Sequence, residues 1–328
     1  MNINKLYKPD MDKETRICKR AKLDTGYFCN YRCSFCYYIK KITEVTPFEK
    51  IKERIDFLKS EGATEVDLSG GESSAHQDWF KILDACSVFP NISTLSNGSM
   101  FYDKDFIKKS YDKGLKEILF SLHGTDAKTH DKVVKVKGAY EKLIQSIYNA
   151  KTLGITVRIN IVITPLNYNR ISTDFLKKLN PLEINFLTLN HWSEYSNVKE
   201  FDYKISTDSI KQYIDKLESI KYINVRYTPY CYMKGYEKYV CNIYQHIYDI
   251  YDWDMTLYNY EHSNNDKLDE AYRIAYNDRC NLYIKPKKCS KCKFVRICDG
   301  IENENIDVYP EEGDKIKEVN YFRKEFYD

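Results

Sequence analysis

From residue 20 to about residue 225, short apolar runs alternate with stretches in which apolar residues return every three or four positions. The first pattern is that of buried strands and the second that of amphipathic helices. Strands are predicted at Ala21–Tyr27, Glu65–Ser69, Ile92–Ser96, Glu117–Leu122, Thr156–Ile163 and Glu183–Leu189. Helices are predicted near Phe48–Ser60, Asp78–Cys86, Lys104–Lys113, Tyr140–Leu153, Ile171–Leu179 and Thr207–Ile220. The clearest helix start is Thr46-Pro47-Phe48-Glu49: a capping hydroxyl, a proline where no amide is needed, and an acid three residues after the cap.

Six strand-then-helix units in series predict a parallel sheet covered by helices, curved into an α/β partial (β/α)6 barrel. Ligands of such sheets sit at the C-terminal ends of the strands. After Val225 the rhythm breaks into an aromatic-rich stretch, Tyr227–Tyr260, and then a cysteine- and lysine-rich one, Cys280–Gly300. The expected division is residues 1–225 as the partial barrel and residues 226–328 as a smaller C-terminal domain.

Composition adds a few exclusions. With 43% hydrophobic and 30% charged residues, the 328-residue chain is not disordered overall. A net charge of +3 is too small a bias to make nucleic acid the expected partner. No long uncharged apolar run offers a membrane span, and none follows the charged start, Met1–Asp12, as a signal peptide would require. The expectation is a cytoplasmic protein. Its eleven cysteines, an odd count, then point to metal or catalysis rather than to disulfides.

Cys29, Cys33 and Cys36 follow the first predicted strand as C-x3-C-x2-C. Three thiolates this close can hold three irons of a cubane and leave the fourth without a protein ligand, as a reactive cluster needs. The alternatives are a zinc site or a fully ligated cluster that borrows a distant cysteine. No His or Cys inside the loop supplies the local fourth ligand that a zinc knuckle would use.

With Phe35 before its last cysteine, this motif resembles the hallmark of the radical S-adenosylmethionine (SAM) superfamily. Gly70-Gly71-Glu72, after the second strand, is similar to the family's GGE motif. The resemblance implies a [4Fe–4S] cluster on Cys29, Cys33 and Cys36 with an open site for SAM. It also implies that Phe35 lies by the adenine and that Gly70, Gly71 and Glu72 lie by the methionine amino group. Polar strand ends would face the ribose and carboxylate: Ser96 and Asn97 after the third strand, Ser121 after the fourth, Arg158 and Asn160 in the fifth. His123, in Ser121-Leu122-His123-Gly124, reads equally as a structural or a functional histidine.

A second cluster, Cys289-x2-Cys292-x5-Cys298, has Cys280 upstream as a candidate fourth thiolate. Four thiolates suit zinc or a [4Fe–4S] cluster, and spacing alone does not choose between them. The spacing is similar to the SPASM and twitch extensions of radical SAM proteins, which implies an auxiliary [4Fe–4S] cluster on Cys280, Cys289, Cys292 and Cys298. No cysteine follows Cys298, so one such cluster is expected rather than two. Cys231 and Cys241 are candidates either to replace Cys280 or to act catalytically as hydrogen-atom donors; burial as small core residues is the alternative for both. Cys86 reads as core, and Cys18 carries no motif.

The resemblance implies reductive cleavage of SAM to a 5′-deoxyadenosyl radical, with electrons from a flavodoxin- or ferredoxin-type donor, and hydrogen abstraction from a substrate. With only 28 residues before Cys29, a small molecule such as a sugar or amino sugar is the first expectation, for oxidation or epimerisation. Modification of a peptide or protein side chain is the alternative. Outside enzymes, a two-cluster electron carrier and a zinc-bearing RNA-binding protein are the competing readings. The Gly70-Gly71-Glu72 loop argues against the first and the near-neutral charge against the second.

Overall fold

Along the strands the side chains alternate between an inward set that is mostly polar and a set facing the helices that is mostly apolar, so the sheet curves around the first and buries the second. In β1 (Arg20–Asp24) the apolar residues are Ala21 and Leu23; in β2 (Glu65–Ser69) they are Val66 and Leu68, all fully buried. The same alternation runs through β3 (Asn91–Ser96), β4 (Leu115–Ser121), β5 (Thr156–Ile163) and β6 (Glu183–Thr188). It continues in β7 (Tyr222–Arg226), which is followed by the two-residue β8 (Val240–Cys241).

This architecture comes from a computed structural model, which describes residues 2–7, 20–36, 38–60, 62–188, 201–242, 280–281, 283–302, 306–319 and 321–323. The strands form one eight-stranded sheet in the order β1 to β8, every neighbouring pair parallel, as a half-barrel. The expected α/β partial barrel is thus present, with β7 and β8 added to the six strands foreseen. Cys18 and the part of the aromatic stretch beyond Asn242 lie outside the described residues.

Seven helices cover the outer face among the described residues: α1 (Phe48–Ser60), α2 (Trp79–Cys86), α3 (Lys104–Asp112), α4 (Ala127–Val134), α5 (Ala139–Thr152), α6 (Thr173–Leu179) and α7 (Tyr203–Ile214). In α1, Ile51, Ile55 and Leu58 form the buried stripe at helical spacing. Their starts follow capping chemistry: Asp103 accepts from the amides of Asp105 and Phe106, and Asp126 from that of Thr129. No helix among the described residues is long and apolar enough to cross a membrane.

The inward polar residues at the N-terminal ends of the strands form an ion network. Arg20 lies 2.9 Å from both Asp67 and Glu117 and 2.8 Å from Glu65, while Arg158 lies 2.8 Å from Glu117 and 3.7 Å from Glu183. Both guanidinium groups are buried, and the surrounding carboxylates outweigh desolvation, so their pKa values rise above the ordinary arginine value. Beyond the sheet, Tyr283, Phe294, Val295 and Ile297 join the same core as the barrel residues. The first residues of the chain fasten this segment: the Ile3 amide donates to the Lys285 carbonyl at 2.9 Å, and the Asn4 amide side chain to that of Tyr283 at 2.9 Å.

Candidate cofactor and substrate site

The loop after β1 carries Cys29, Cys33 and Cys36, and it is clamped from three sides. Beneath it, the Gly71 amide donates to the Gly26 carbonyl at 2.8 Å and the Glu72 amide to that of Phe28 at 2.7 Å. The approach is so close that a Cβ on Gly71 would lie 2.1 Å from the Phe28 carbonyl oxygen, and one on Gly70 would lie 2.2 Å from that of Gly26. Glycine at both positions is therefore a steric requirement of the contact between the two loops. On the outer side, the Ser34 amide donates to the Val133 carbonyl at 2.9 Å, which docks the end of α4 on the loop; Tyr31 is buried there against Val134 and Ala139. Within the loop, Arg32 donates to the carbonyls of Cys29 and Tyr31.

Glu72 is buried and acts as a brace. Its carboxylate accepts from the Ser96 hydroxyl at 2.8 Å, from the Asn97 amide at 2.6 Å and from the Ser74 hydroxyl. Burial pushes its pKa up against the opposing effect of these bonds. The Asn97 side-chain amide reaches the Cys29 sulfur at 3.8 Å and the Asn30 side-chain oxygen at 3.0 Å. Burial also raises the three thiols, with Cys29 pushed up to about 12, in second place by the Glu72 carboxylate. A metal centre here would displace their protons on binding.

The three cysteines open onto a cavity of about 270 Å³ at the C-terminal ends of the strands. Gly70, Gly71, Glu72, Ser96 and Asn97 lie on its wall, as do Phe35, Ser121 and Asn160. Arg158 does not; its side chain belongs to the ion network below. His123 is on the wall, edge-on to Phe35 with ring centroids 4.7 Å apart. Its Nδ1 accepts from the Val162 amide, so the neutral ring carries its proton on Nε2. Burial, then the neighbouring His130, hold its pKa well below the ordinary value. His130 stacks on it, accepts the His123 amide through its own Nδ1, and is brought down to about 4 by burial.

Several wall residues went unforeseen, among them Lys22 on β1, Asn185 on β6 and Arg226 on β7. These three occupy the inward set of the two-residue alternation, which is the signal that identifies them. Arg226 donates through Nε to the Asn185 side-chain oxygen at 3.1 Å.

A second, much smaller cavity lies in the C-terminal segment. Cys231, Cys289, Cys292 and Cys298 line it together with Tyr230 and Phe294. Cys280 is not on its wall. Cys241 is buried in β8 beside Arg226 of β7 and lines neither cavity. Burial first, and Cys298 next, push the Cys231 thiol up to about 12. Cys86 is core, in α2.

Residues 23–175 match the sequence profile of the Radical SAM superfamily. The chain is 29% identical over 163 residues to the S-adenosylmethionine-dependent nucleotide dehydratase RSAD2 of Siniperca chuatsi, which covers 47% of this chain and 46% of that protein. It is 29% identical over 162 residues to the GTP 3′,8-cyclase of Aquifex aeolicus, covering 47% and 50% respectively. The chain thus spans about half the length of the curated relatives it matches. In fold it is similar to Streptococcus suis SuiB bound to the precursor peptide SuiA, with a TM-score of 0.62 and 16% identity over 87% of this chain and 72% of that one. By its profile match over residues 23–175, set in the half-barrel, this chain carries a radical SAM domain, and the members of that superfamily are enzymes that pair a [4Fe–4S] cluster with SAM.

Proposed function

We propose that Cys29, Cys33 and Cys36 hold a [4Fe–4S] cluster whose open iron binds SAM in the adjoining cavity, and that the enzyme abstracts hydrogen from an anionic sugar derivative such as a nucleotide. The observation that carries this is the cavity, on whose wall the three thiols, the glycine loop and the polar strand ends meet. The donor set fits the cluster: three soft thiolates, one of them within reach of the Asn97 amide. When bound, the cluster supplies the electron that cleaves SAM to methionine and a 5′-deoxyadenosyl radical; a flavodoxin- or ferredoxin-type protein is the proposed source of that electron.

The chain's own residues then have separate tasks. Phe35 and Asn160 flank the bound SAM, and Gly71 lets the cluster loop and the β2 loop meet. Glu72 fixes the turn after β3. His123 presents a neutral N–H to the cavity. In this reading the cavity takes a substrate molecule beside SAM. Lys22 and Arg226 on its wall suit a phosphate or carboxylate on that molecule. The nucleotide substrates named for the relatives of RSAD2 and GTP cyclase type agree with this choice. In residues 226–328, Cys289, Cys292 and Cys298 are proposed to bind one auxiliary [4Fe–4S] cluster.

A peptide substrate is the second reading. It is favoured by the likeness in fold to peptide-bound SuiB, which extends over 87% of this chain and so past the barrel. The test is 5′-deoxyadenosine release by the anaerobically reconstituted enzyme, with SAM and a strong reductant, against nucleoside phosphates and against peptides. The first reading expects nucleoside phosphates to stimulate release, and expects Lys22→Met and Arg226→Met each to raise KM about 10-fold or more, as loss of a charge-assisted bond implies. Stimulation by peptides alone would replace it with the second. No iron in the N-terminal loop would overturn both.

A further inference from the structure

The sequence offers three cysteines, Cys280, Cys231 and Cys241, to complete the C-terminal set, and the fold separates them. Cys231 sits in a short turn after β7, held by the Tyr232 amide donating to the Pro229 carbonyl at 3.1 Å and the Met233 amide to that of Tyr230 at 2.8 Å. Cys289 and Cys292 sit in another turn, where the Cys292 amide donates to the Cys289 carbonyl at 3.0 Å; Cys298 follows, its amide bonded to the Phe294 carbonyl at 2.8 Å. The two turns are packed together through Tyr230 and Phe294, whose rings stack with centroids 5.0 Å apart. All four cysteines face the cavity between them.

Resting on the auxiliary-cluster reading above, we propose that Cys231, and not Cys280, is the fourth ligand, so that this site binds a [4Fe–4S] cluster closed by four thiolates. Two features of the site favour it. The set is complete without Cys280, which is absent from the wall, and without Cys241, which is sealed in the sheet edge. The rest of the wall, including Tyr230, Phe294, Val295 and Val308, is largely apolar and offers no carboxylate or imidazole as a competing ligand.

Closure sets the site's chemistry. A cubane with all four irons on protein sulfur has no position for a substrate atom, so the auxiliary site exchanges electrons and does not chelate substrate. Cys231 is thereby a structural ligand and not a hydrogen-atom donor.

The full-length chain carrying Cys29→Ala, Cys33→Ala and Cys36→Ala isolates the second cluster. After anaerobic reconstitution it should retain about four of the roughly eight irons of the parent. Its Mössbauer and reduced-state EPR spectra should be unchanged by cyanide, an exogenous ligand that perturbs a cubane with an open iron. Adding Cys280→Ala should leave iron and spectra unaltered. Adding Cys231→Ala should leave a cluster that loses one iron on mild oxidation or responds to cyanide, and Cys231→Ser should keep four irons with a shifted EPR signal, which guards against a folding defect in the alanine variant. Loss of iron with Cys280→Ala but not with Cys231→Ala, zinc in place of iron, or a cyanide response in the triple variant would each overturn the assignment. The N-terminal reading stands or falls separately: it fails if the parent chain binds only the irons that the triple variant keeps.

Discussion

Replacing Gly71 with alanine tests the contact on which the candidate active site is built. The added Cβ would stand 2.1 Å from the Phe28 carbonyl oxygen and 2.4 Å from that of Tyr27, against a normal limit above 3 Å, so the two loops must part by about 1 Å. Both opposing atoms are backbone, and no side-chain rotation can relieve them. Parting breaks the bonds from Gly71 to Gly26, 2.8 Å, and from Glu72 to Phe28, 2.7 Å. At about 1 kcal/mol each, plus about 1–3 kcal/mol for overpacking, the loss is about 3–5 kcal/mol. At roughly 2 cal/mol/K of unfolding entropy per residue, the 328-residue chain should melt about 4–7 °C lower. The domain stays folded, but a displacement of about 1 Å at a reacting centre costs on the order of 100-fold in rate. The assay pairs thermal unfolding with anaerobic SAM cleavage, and Gly154→Ala is the control. Gly154 has φ +74° and nothing within 4 Å of where the alanine methyl would stand, so that variant should lose about 1–2 kcal/mol through backbone strain and keep its turnover. If Gly71→Ala cleaves SAM within 2-fold or so of the parent, the steric reasoning is wrong.

Further expectations follow from the same geometry. His130, whose pKa is brought down to about 4 by burial, binds fewer protons folded than unfolded below its ordinary value of 6.5. Its stabilisation is therefore complete above about pH 6.5 and fades as pH falls towards 4, which amounts to about 1 kcal/mol between pH 7 and pH 5.5. Urea unfolding at the two pH values should show that slope shrink in His130→Phe, and an unchanged slope would contradict it. Asn97→Ala removes the amide 3.8 Å from the Cys29 sulfur and should lower the N-terminal cluster's potential by about 40 mV, or about 1 kcal/mol for one electron, in an EPR-monitored redox titration. A potential that does not move, or that rises, would count against that hydrogen bond. Arg158→Met withdraws a buried counter-charge from Glu117 and Glu183 and should cost about 3–5 kcal/mol in denaturant unfolding with SAM affinity largely kept. A large loss of SAM affinity at full stability would return Arg158 to the cofactor site.

The apolar periodicity located six strands because their outward faces carry unbroken alternation, as in Ile159 and Ile161 of β5. It passed over β7, whose Ile223 and Val225 sit where the helical rhythm stops. It also passed over α4, in which only Val133 and Val134 are strongly apolar. The site motifs were legible because their chemistry is local: three thiols in eight residues and two adjacent glycines. Depth along the barrel was not. Arg158 and Asn160 are both inward residues of β5, yet two positions decide between the ion network and the cavity, and that depends on strand stagger, which only pairing defines. The choice of Cys231 among the three candidates was left open, since it lies 58 positions before Cys289. A contact of that span has no signature in spacing.

The ionised layer of Arg20, Arg158, Asp67, Glu117 and Glu183 also governs traffic. It plugs the bottom of the strand interior with groups too costly to pull apart. The cavity above it has no exit through that floor, so whatever enters and leaves does so at the C-terminal ends of the strands or along the open side of the half-barrel.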